Sequence, residues 1–361
     1  MKLAKKILAA VLASCMAILT FAGCGSQDTS WIATDKDGDA IPVGIYLYHR
    51  MEAYTEALDL VEDKAGEAWD QEIEGKTGYE WVHDKALQAV KNYAAVEEKF
   101  EELGYTLAEE QEAYAENQAT QRYNYYSGLY EANGISSDSV VAIYMNQMKS
   151  SVIFQNTYAP GGTQGLSVDE LKQELEENYL RFKTIMLPRT NSDGVLLSDE
   201  ELAAAEEEQA NYLKRAQDGE DFDQLIIESE DNYIKDLRGD ESYEPTTSDY
   251  GHDHAEENAH VSVLRKDSTD VSAELLDAVA AVDEGEFGTV EDIDYYYVFQ
   301  RLDITEDEDA VVEALEAQLT SDLKADDFDK EIEDWGNNVQ LTLNDKAVDY
   351  YQKRKFKEAS F

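Results

Sequence analysis

Cysteine is almost absent from the chain, and this absence narrows the chemistry available to it. The 361 residues include two cysteines, Cys15 and Cys24, both close to the start of the sequence. The rest of the chain therefore holds neither a disulfide nor a thiolate metal site, and thiol catalysis is excluded there. The Gly-x-Ser-x-Gly pattern of a nucleophile elbow is also missing from the sequence.

Basic residues are scarce as well. The sequence has 30 Lys and Arg against 79 Asp and Glu, which gives a formal net charge of −49. A surface of this charge repels phosphates, so nucleic acid is excluded as a partner unless a basic patch compensates. Because 43% of the residues are hydrophobic and 10% are aromatic, the chain can still bury an apolar core. We therefore expect a folded and very acidic protein.

The first residues have the pattern of an export signal. Three lysines within the first six residues precede an uncharged run over residues 7–21, which is shorter than the ~20 apolar residues that span a bilayer. The ending Phe21-Ala22-Gly23-Cys24 resembles the lipobox of bacterial lipoproteins. The resemblance implies that residues 1–23 are a signal peptide and that lipidated Cys24 anchors the protein to the bacterial cell membrane, outside the cytoplasm. An ordinary secretory signal is the alternative.

The remaining chain divides by its apolar spacing into a tether and three further parts. Residues 24–40 are predicted to be a polar tether. Residues 41–180 carry apolar positions at helical spacing, and the tail over 305–361 returns to that spacing. Between them lies a mixed block of strands and helices, residues 181–304. The sequence thus predicts an α+β protein with a mixed block inserted between helical arms.

Local signals place individual elements within these parts. Residues 41–46 are predicted to be extended and to lead into the first helix. Capping boxes at Thr106, Ser167 and Ser198 each predict the start of a helix. Strand-like runs are predicted at the following two segments: Thr184 to Pro188 and Tyr295 to Phe299.

The order of lipobox, helical arm, mixed block and helical tail resembles the PrsA-type foldases and the related SurA-type chaperones. The motifs that carry the resemblance are Thr184-Ile185-Met186-Leu187, the run from Gly219 to Leu225, and the run from Ser272 to Val290 followed by Tyr296-Tyr297-Val298. In that family the middle block is a parvulin peptidyl-prolyl isomerase domain. The resemblance implies a chaperone cradle, built from the N-terminal helices and the C-terminal tail, with an inserted parvulin-like domain.

The resemblance also implies which residues would line an isomerase groove. Thr184 and Tyr297 stand where the family has two histidines, so both family histidines are replaced. Asp231 falls where the family has Cys or Asp, and Leu275 where a Phe contacts the proline ring. Three further residues would support the groove: Met186, Val279 and Val282. We therefore expect a degenerate isomerase domain that is retained for binding, with a fully active isomerase as the alternative.

The function implied by the resemblance is that of a membrane-anchored foldase or chaperone. Its partners would be unfolded or nascent secreted polypeptides, with no cofactor and with a homodimer left open. The 23 tyrosines suit a client-binding surface, because a half-exposed phenol ring can contact varied chains. A solute-binding lipoprotein of a transporter is a third hypothesis, for which two lobes of repeated strand and helix units are typical.

Two short patterns suggest metal ions, and we expect neither to bind one. His252, His254 and His260 lie in one polar stretch, and a His-x-His pair can bind Zn²⁺ or Cu²⁺. A flexible loop without fixed supporting residues argues against a site there. The acidic run over residues 35–39 departs from the calcium-loop spacing at its glycine, so we interpret it as part of the tether.

Overall fold

The computed structural model describes residues 28–191, 193–256 and 258–357. The predicted signal peptide and Cys24 lie outside the described residues. The described chain is α+β, as predicted, and it consists of two compact units. The first unit comprises the described residues up to Asn156 together with those from Asp326 onward, and the second is Thr157–Ala325. Among the described helices, none combines the length and the apolar character that crossing a membrane requires.

The described helices and strands are numbered in chain order. The helices are α1 Val43–Leu60, α2 Gly78–Glu102, α3 Glu109–Asn133, α4 Ser137–Tyr158, α5 Val168–Asn178, α6 Asp199–Gln217, α7 Phe222–Arg238, α8 Thr247–Tyr250, α9 Ala273–Ala280, α10 Glu308–Asn338 and α11 Asp345–Tyr351. The strands are β1 Trp31–Thr34, β2 Ala40–Pro42, β3 Glu72–Ile73, β4 Lys76–Thr77, β5 Tyr179–Pro188, β6 Ser262–Arg265, β7 Phe287–Glu291, β8 Tyr295–Leu302 and β9 Thr342–Leu343.

The predicted tether over residues 24–40 is wrong from Trp31 onward. β1 lies at the centre of a three-stranded antiparallel sheet, between β2 and β9, and Ile32 and Ala33 are fully buried. The acidic run that resembled a calcium loop is the turn between β1 and β2. In this turn Asp35 Oδ1 accepts hydrogen bonds from the backbone N–H groups of Asp37 and Asp39. Burial of the side chains of Ile32 and Ala33 stabilises β1, although the residues around the strand are mostly polar.

Two helix starts in the first unit differ from the prediction. The segment over residues 41–46 is extended only as far as Pro42, and α1 begins at Val43, because proline is accommodated at a helix start. Ala108 precedes α3 in place of the predicted cap Thr106, and the Gln111 side chain accepts the N–H of Ala108. A capping box at Thr77 begins α2.

A buried arginine ties the end of the described chain to the core of the first unit. Arg50 on α1 is 1% exposed, and its guanidinium donates to the backbone oxygens of Gln352 and Arg354. The same group lies 4.8 Å from the ring centroid of Trp69 and 5.1 Å from that of Phe356. The aromatic faces and the carbonyl dipoles together offset the cost of burying the charge.

The second unit is built on a four-stranded antiparallel sheet with the order β6-β5-β8-β7. One face carries Ile185, Leu187, Tyr296 and Val298 against α6 and α7. The other face packs against α9 and carries the following residues: Leu180, Phe182, Tyr297 and Phe299. Because successive side chains of a strand point to opposite faces, β5 and β8 are buried on both sides.

The second unit extends beyond the predicted block over residues 181–304. Leu171 and Leu175 of α5 are fully buried in one cluster with Tyr179, Val312 and Leu319. This cluster attaches α5 and the first part of α10 to the start of β5. The apolar spacing of these helices was predicted, but their packing partner lies far away in the sequence.

Candidate functional site

The residues expected from the parvulin resemblance lie around the two central strands of the second unit. β5 and β8 pair antiparallel with Met186 opposite Tyr297 and Thr184 opposite Phe299. Thr184 and Tyr297 are therefore diagonal neighbours on one face of the sheet, as the replaced histidines would require. This face is the one that packs against α9.

Three of the expected groove residues are core residues. Leu275, Val279 and Tyr297 are 1%, 0% and 4% exposed, and they share a cluster with Phe182 and Phe299. Val282 is half-buried against the same cluster. The expectation that Leu275, Val279 and Tyr297 line an accessible groove is therefore wrong, because the side chains that would contact a proline ring are covered by the packing of α9 on the sheet.

The hydroxyl of Tyr297 is also committed to an internal partner. It donates a 2.8 Å hydrogen bond to Asp292 Oδ2. Burial, reinforced by the Asp292 carboxylate, raises the pKa of Tyr297. The phenol thus stays protonated and serves to hold the turn between β7 and β8.

Asp231 lies on α7 and also has an internal partner. Its carboxylate accepts a hydrogen bond from the hydroxyl of Tyr250, the last residue of α8, and lies 3.9 Å from Lys235 Nζ. Burial and the neighbouring carboxylate of Asp231 raise the pKa of Tyr250. Asp231 therefore joins α8 to α7, a structural contact that the family resemblance did not predict.

An open cavity of about 340 Å³ lies beside β5. β6 pairs with Tyr179 to Phe182 of β5, and among the described residues no strand pairs on that side with the part of β5 that follows. Thr184 and the 46% exposed Met186 line this cavity, as do Ile226 and Ser229 from α7. Two of the residues expected at the groove thus contact open space, but at the edge of the sheet.

Glu230, His252 and His260 on the cavity wall belong to a cluster of one carboxylate and three histidines. Glu230 of α7 and the three histidines His252, His254 and His260 bring their ligand-type atoms within 4.8 Å of one another. His254 Nδ1 and His260 Nε2 are 2.8 Å apart, and Glu230 Oε2 lies 3.5 Å from His254 Nε2. The clustering of three of the five histidines within nine residues was the sequence signal for this site.

A charged pair supports the cluster from behind. His260 Nδ1 lies 3.0 Å from Asp223 Oδ1, and the other oxygen of that carboxylate accepts a 2.6 Å bond from Lys183 Nζ. Burial alone would raise the pKa of Asp223, but Lys183 and His260 outweigh burial and lower it. The carboxylate is therefore ionised and fixes the orientation of the His260 ring.

The first unit has a larger opening, which we call the aromatic cleft. It has a volume of about 600 Å³. Its apolar lining consists of Ala40, Ile41, Pro42, Tyr93, Ala94, Phe100, Tyr105 and Val339. Its charged lining consists of Asp35, Asp37, Asp39, Glu97, Glu98, Glu101, Lys36 and Lys149. The two lysines are paired with Glu98 and Glu97 at 2.8 and 2.5 Å, so the cleft keeps an excess of negative charge.

The sequence matches no protein-family model and no curated protein. The chain is similar to solved structures of PrsA foldases. The foldase PrsA from Streptococcus pneumoniae is 17% identical, with 79% of this chain and 97% of that chain covered and a TM-score of 0.40. The foldase PrsA from Lactococcus lactis is 13% identical, with coverages of 90% and 99% and a TM-score of 0.39. PrsA from Bacillus subtilis is 13% identical, with coverages of 86% and 93% and a TM-score of 0.32.

Proposed function

We propose that the protein is an extracytoplasmic chaperone, anchored through Cys24, that binds unfolded secreted polypeptides in the aromatic cleft. The observation that carries the proposal is the cleft itself. It offers apolar and aromatic side chains at the surface of a protein whose net charge is −49. A chaperone of this kind needs such a surface on a soluble, self-repelling frame.

The lining of the cleft indicates which client segments would bind. Tyr105 contacts the edge of Phe100, with their ring centroids 6.1 Å apart, and is itself half-buried. Half-exposed aromatic rings accept apolar side chains of varied shape. The six acidic residues around them favour segments in which apolar residues alternate with Lys or Arg.

An aggregation assay tests this proposal directly. The wild-type chain is expected to suppress the aggregation of an unfolded secreted protein at equimolar amounts. Tyr105→Ser is expected to weaken the binding of an unfolded client several-fold, because it removes the aromatic surface on one wall. Tyr125→Ser is the matched control, since Tyr125 is 81% exposed and lies outside the cleft lining. Equal loss in the two variants would place the client elsewhere, and no suppression by wild type would end the proposal.

Proline isomerisation requires a separate measurement. Leu275 and Tyr297 are covered, so we expect the protein to accelerate isomerisation of a proline peptide little or not at all. A clear acceleration that is lost in Tyr297→Phe would support the active-isomerase alternative. The transporter alternative gains no support from the described strands, since every described strand pair is antiparallel.

A further inference from the structure

The cluster of Glu230, His252, His254 and His260 has the composition of a transition-metal site. Three imidazoles and one carboxylate are ligands that Zn²⁺ prefers. Ligand atoms around a tetrahedral zinc ion lie roughly 3.3 Å apart, given metal–ligand distances of about 2.0–2.1 Å. In the structure Glu230 Oε2 lies 3.7 Å from His252 Nε2 and 3.5 Å from His254 Nε2. Small side-chain rotations are enough to bring these atoms to zinc-binding distances.

The ligand-type atoms of the cluster have unmet bonding capacity. Glu230 Oε2, His252 Nε2 and His254 Nε2 are all buried, and none has a hydrogen-bond partner. An unpaired polar atom in a buried position is costly, and three that face one another are unusual in a folded protein. One cation at their centre would satisfy all three atoms. When the cation binds, bonds from His254 and His260 to the metal would replace the hydrogen bond between these two histidines.

Two of the histidines are held by partners on their outer nitrogen. His260 Nδ1 contacts Asp223 Oδ1 at 3.0 Å, and His252 Nδ1 lies 3.3 Å from the backbone oxygen of Tyr250. In both cases the N–H donates outward and leaves the lone pair of Nε2 directed towards the cluster. A carboxylate or carbonyl behind a ligating histidine is the usual support in zinc sites. The fixed support that the sequence analysis found lacking is therefore present.

We propose that these four side chains bind one Zn²⁺ ion, which fastens the described residues 251–256 and 258–261 to α7. Glu230 comes from α7, whereas the three histidines come from the irregular segment between α8 and β6. The ion would thus join two stretches of chain that together form one wall of the 340 Å³ cavity. Imidazole ligands select against Ca²⁺ and Mg²⁺, which the many exposed carboxylates would otherwise attract.

Calorimetric titration of the metal-free full chain with Zn²⁺, in an excess of Ca²⁺ and Mg²⁺, tests the proposal. We expect one Zn²⁺ per chain, and a rise of the unfolding temperature with zinc concentration. Glu230→Gln and His254→Ala are each expected to weaken binding by at least about tenfold. His49→Ala is the matched control, because His49 also pairs with a carboxylate, Glu52 at 2.9 Å, but lies in the first unit. The affinity of the His49→Ala variant for Zn²⁺ is expected to equal that of the wild type.

A spectroscopic measurement on the wild-type chain avoids dependence on variants that fail to fold. Co²⁺ in the site should give the strong visible absorption of tetrahedral coordination, and Zn²⁺ should abolish it stoichiometrically. Weak binding of several ions that Glu230→Gln leaves unchanged would overturn the proposal. An octahedral Co²⁺ spectrum, typical of surface carboxylates and water, would overturn it equally.

Discussion

The contribution of Leu275 to the free energy of unfolding tests whether it is a core residue or a groove residue. Leu275 is 1% exposed within the cluster of Phe182, Val279 and Phe299. Leu275→Ala should therefore lower the free energy of unfolding of the second unit by about 2–5 kcal/mol, through lost burial and the cavity left behind. Met186→Ala, at a 46% exposed position, should change it by no more than about 0.5 kcal/mol. Urea unfolding measures the free energy of unfolding of both variants. Equally small losses in the two variants would mean that Leu275 is a groove residue and not a core residue.

Single residues show where inference from sequence reaches its limit. The runs around Thr184 and Tyr297 correctly predict strands at these two residues, because strand-type runs are local patterns. The burial of Tyr297 depends on the packing of α9, and its hydroxyl is held by Asp292; no local pattern reports either contact. The residue types of the three histidines indicate a metal site, but the sequence does not show what supports them. Its fourth member, Glu230, comes from a different element, and its supporting partners exist only in the folded chain.

Among the elements, β7 contains a glycine whose missing side chain makes room for its neighbour. An added Cβ at Gly288 would lie 2.4 Å from Cζ of Phe299, which is opposite it on β8. Gly288→Ala should therefore destabilise the second unit by about 1–3 kcal/mol, because the buried ring must move. Thr289→Ala is the matched control at the next, exposed position, and should cost less than about 1 kcal/mol. Thermal unfolding of the two variants checks the contrast.

The contact between α1 and α2 predicts a pH dependence of stability. Tyr46 on α1 is hydrogen-bonded to His83 Nδ1 on α2 at 2.8 Å. Burial lowers the pKa of His83, Asp84 opposes this effect and Arg50 adds to it. The unfolded chain therefore binds a proton more readily than the folded one. The stability that His83 supplies is present above its unfolded pKa of about 6.5 and is lost as the pH falls through that value towards the folded pKa.

His83→Gln tests this dependence because glutamine has no proton to gain in this range. Between about pH 7.5 and pH 5.5 the variant should lose less unfolding free energy than the wild type does. The comparison above the unfolded pKa measures the packing cost of the substitution alone. If the unfolding free energies of the two proteins change in parallel with pH, His83 binds a proton equally readily in the folded and the unfolded chain.

Element boundaries were predictable where a strong local signal marks them. The turn residues Asn133-Gly134 and Pro160-Gly161 predict a helix over about Ser137 to Tyr158, and the helix has these bounds. By contrast, the sequence after Asp218-Gly219 predicts only a short helix over Phe222 to Glu228, whereas α7 continues to Arg238. The buried Ile234 extends its apolar face, and Gly239, in the left-handed conformation, ends it. The strands β1 and β2 are only four and three residues long, so local sequence indicates them weakly and their pairing stabilises them.

At the scale of the whole molecule, the excess of acidic residues should set both stability and client choice. The formal charge of −49 opposes compaction, and salt screens this repulsion. The Debye length falls from about 30 Å at 0.01 M to about 8 Å at 0.15 M ionic strength. The midpoint of urea unfolding is therefore expected to rise over that range, in the wild-type chain without any substitution.

The same screening should affect opposite classes of client in opposite ways. A reduced, unfolded client of positive net charge should bind several-fold more weakly at the higher ionic strength, because attraction to the acidic surface is lost. An unfolded client of negative net charge should bind equally well or better there, because repulsion is lost while the apolar contacts in the aromatic cleft remain. Fluorescence anisotropy with two labelled peptides of identical apolar sequence, differing only in Lys against Glu, measures the contrast. If the affinities for both peptides do not change with ionic strength, the acidity of the protein does not contribute to client binding.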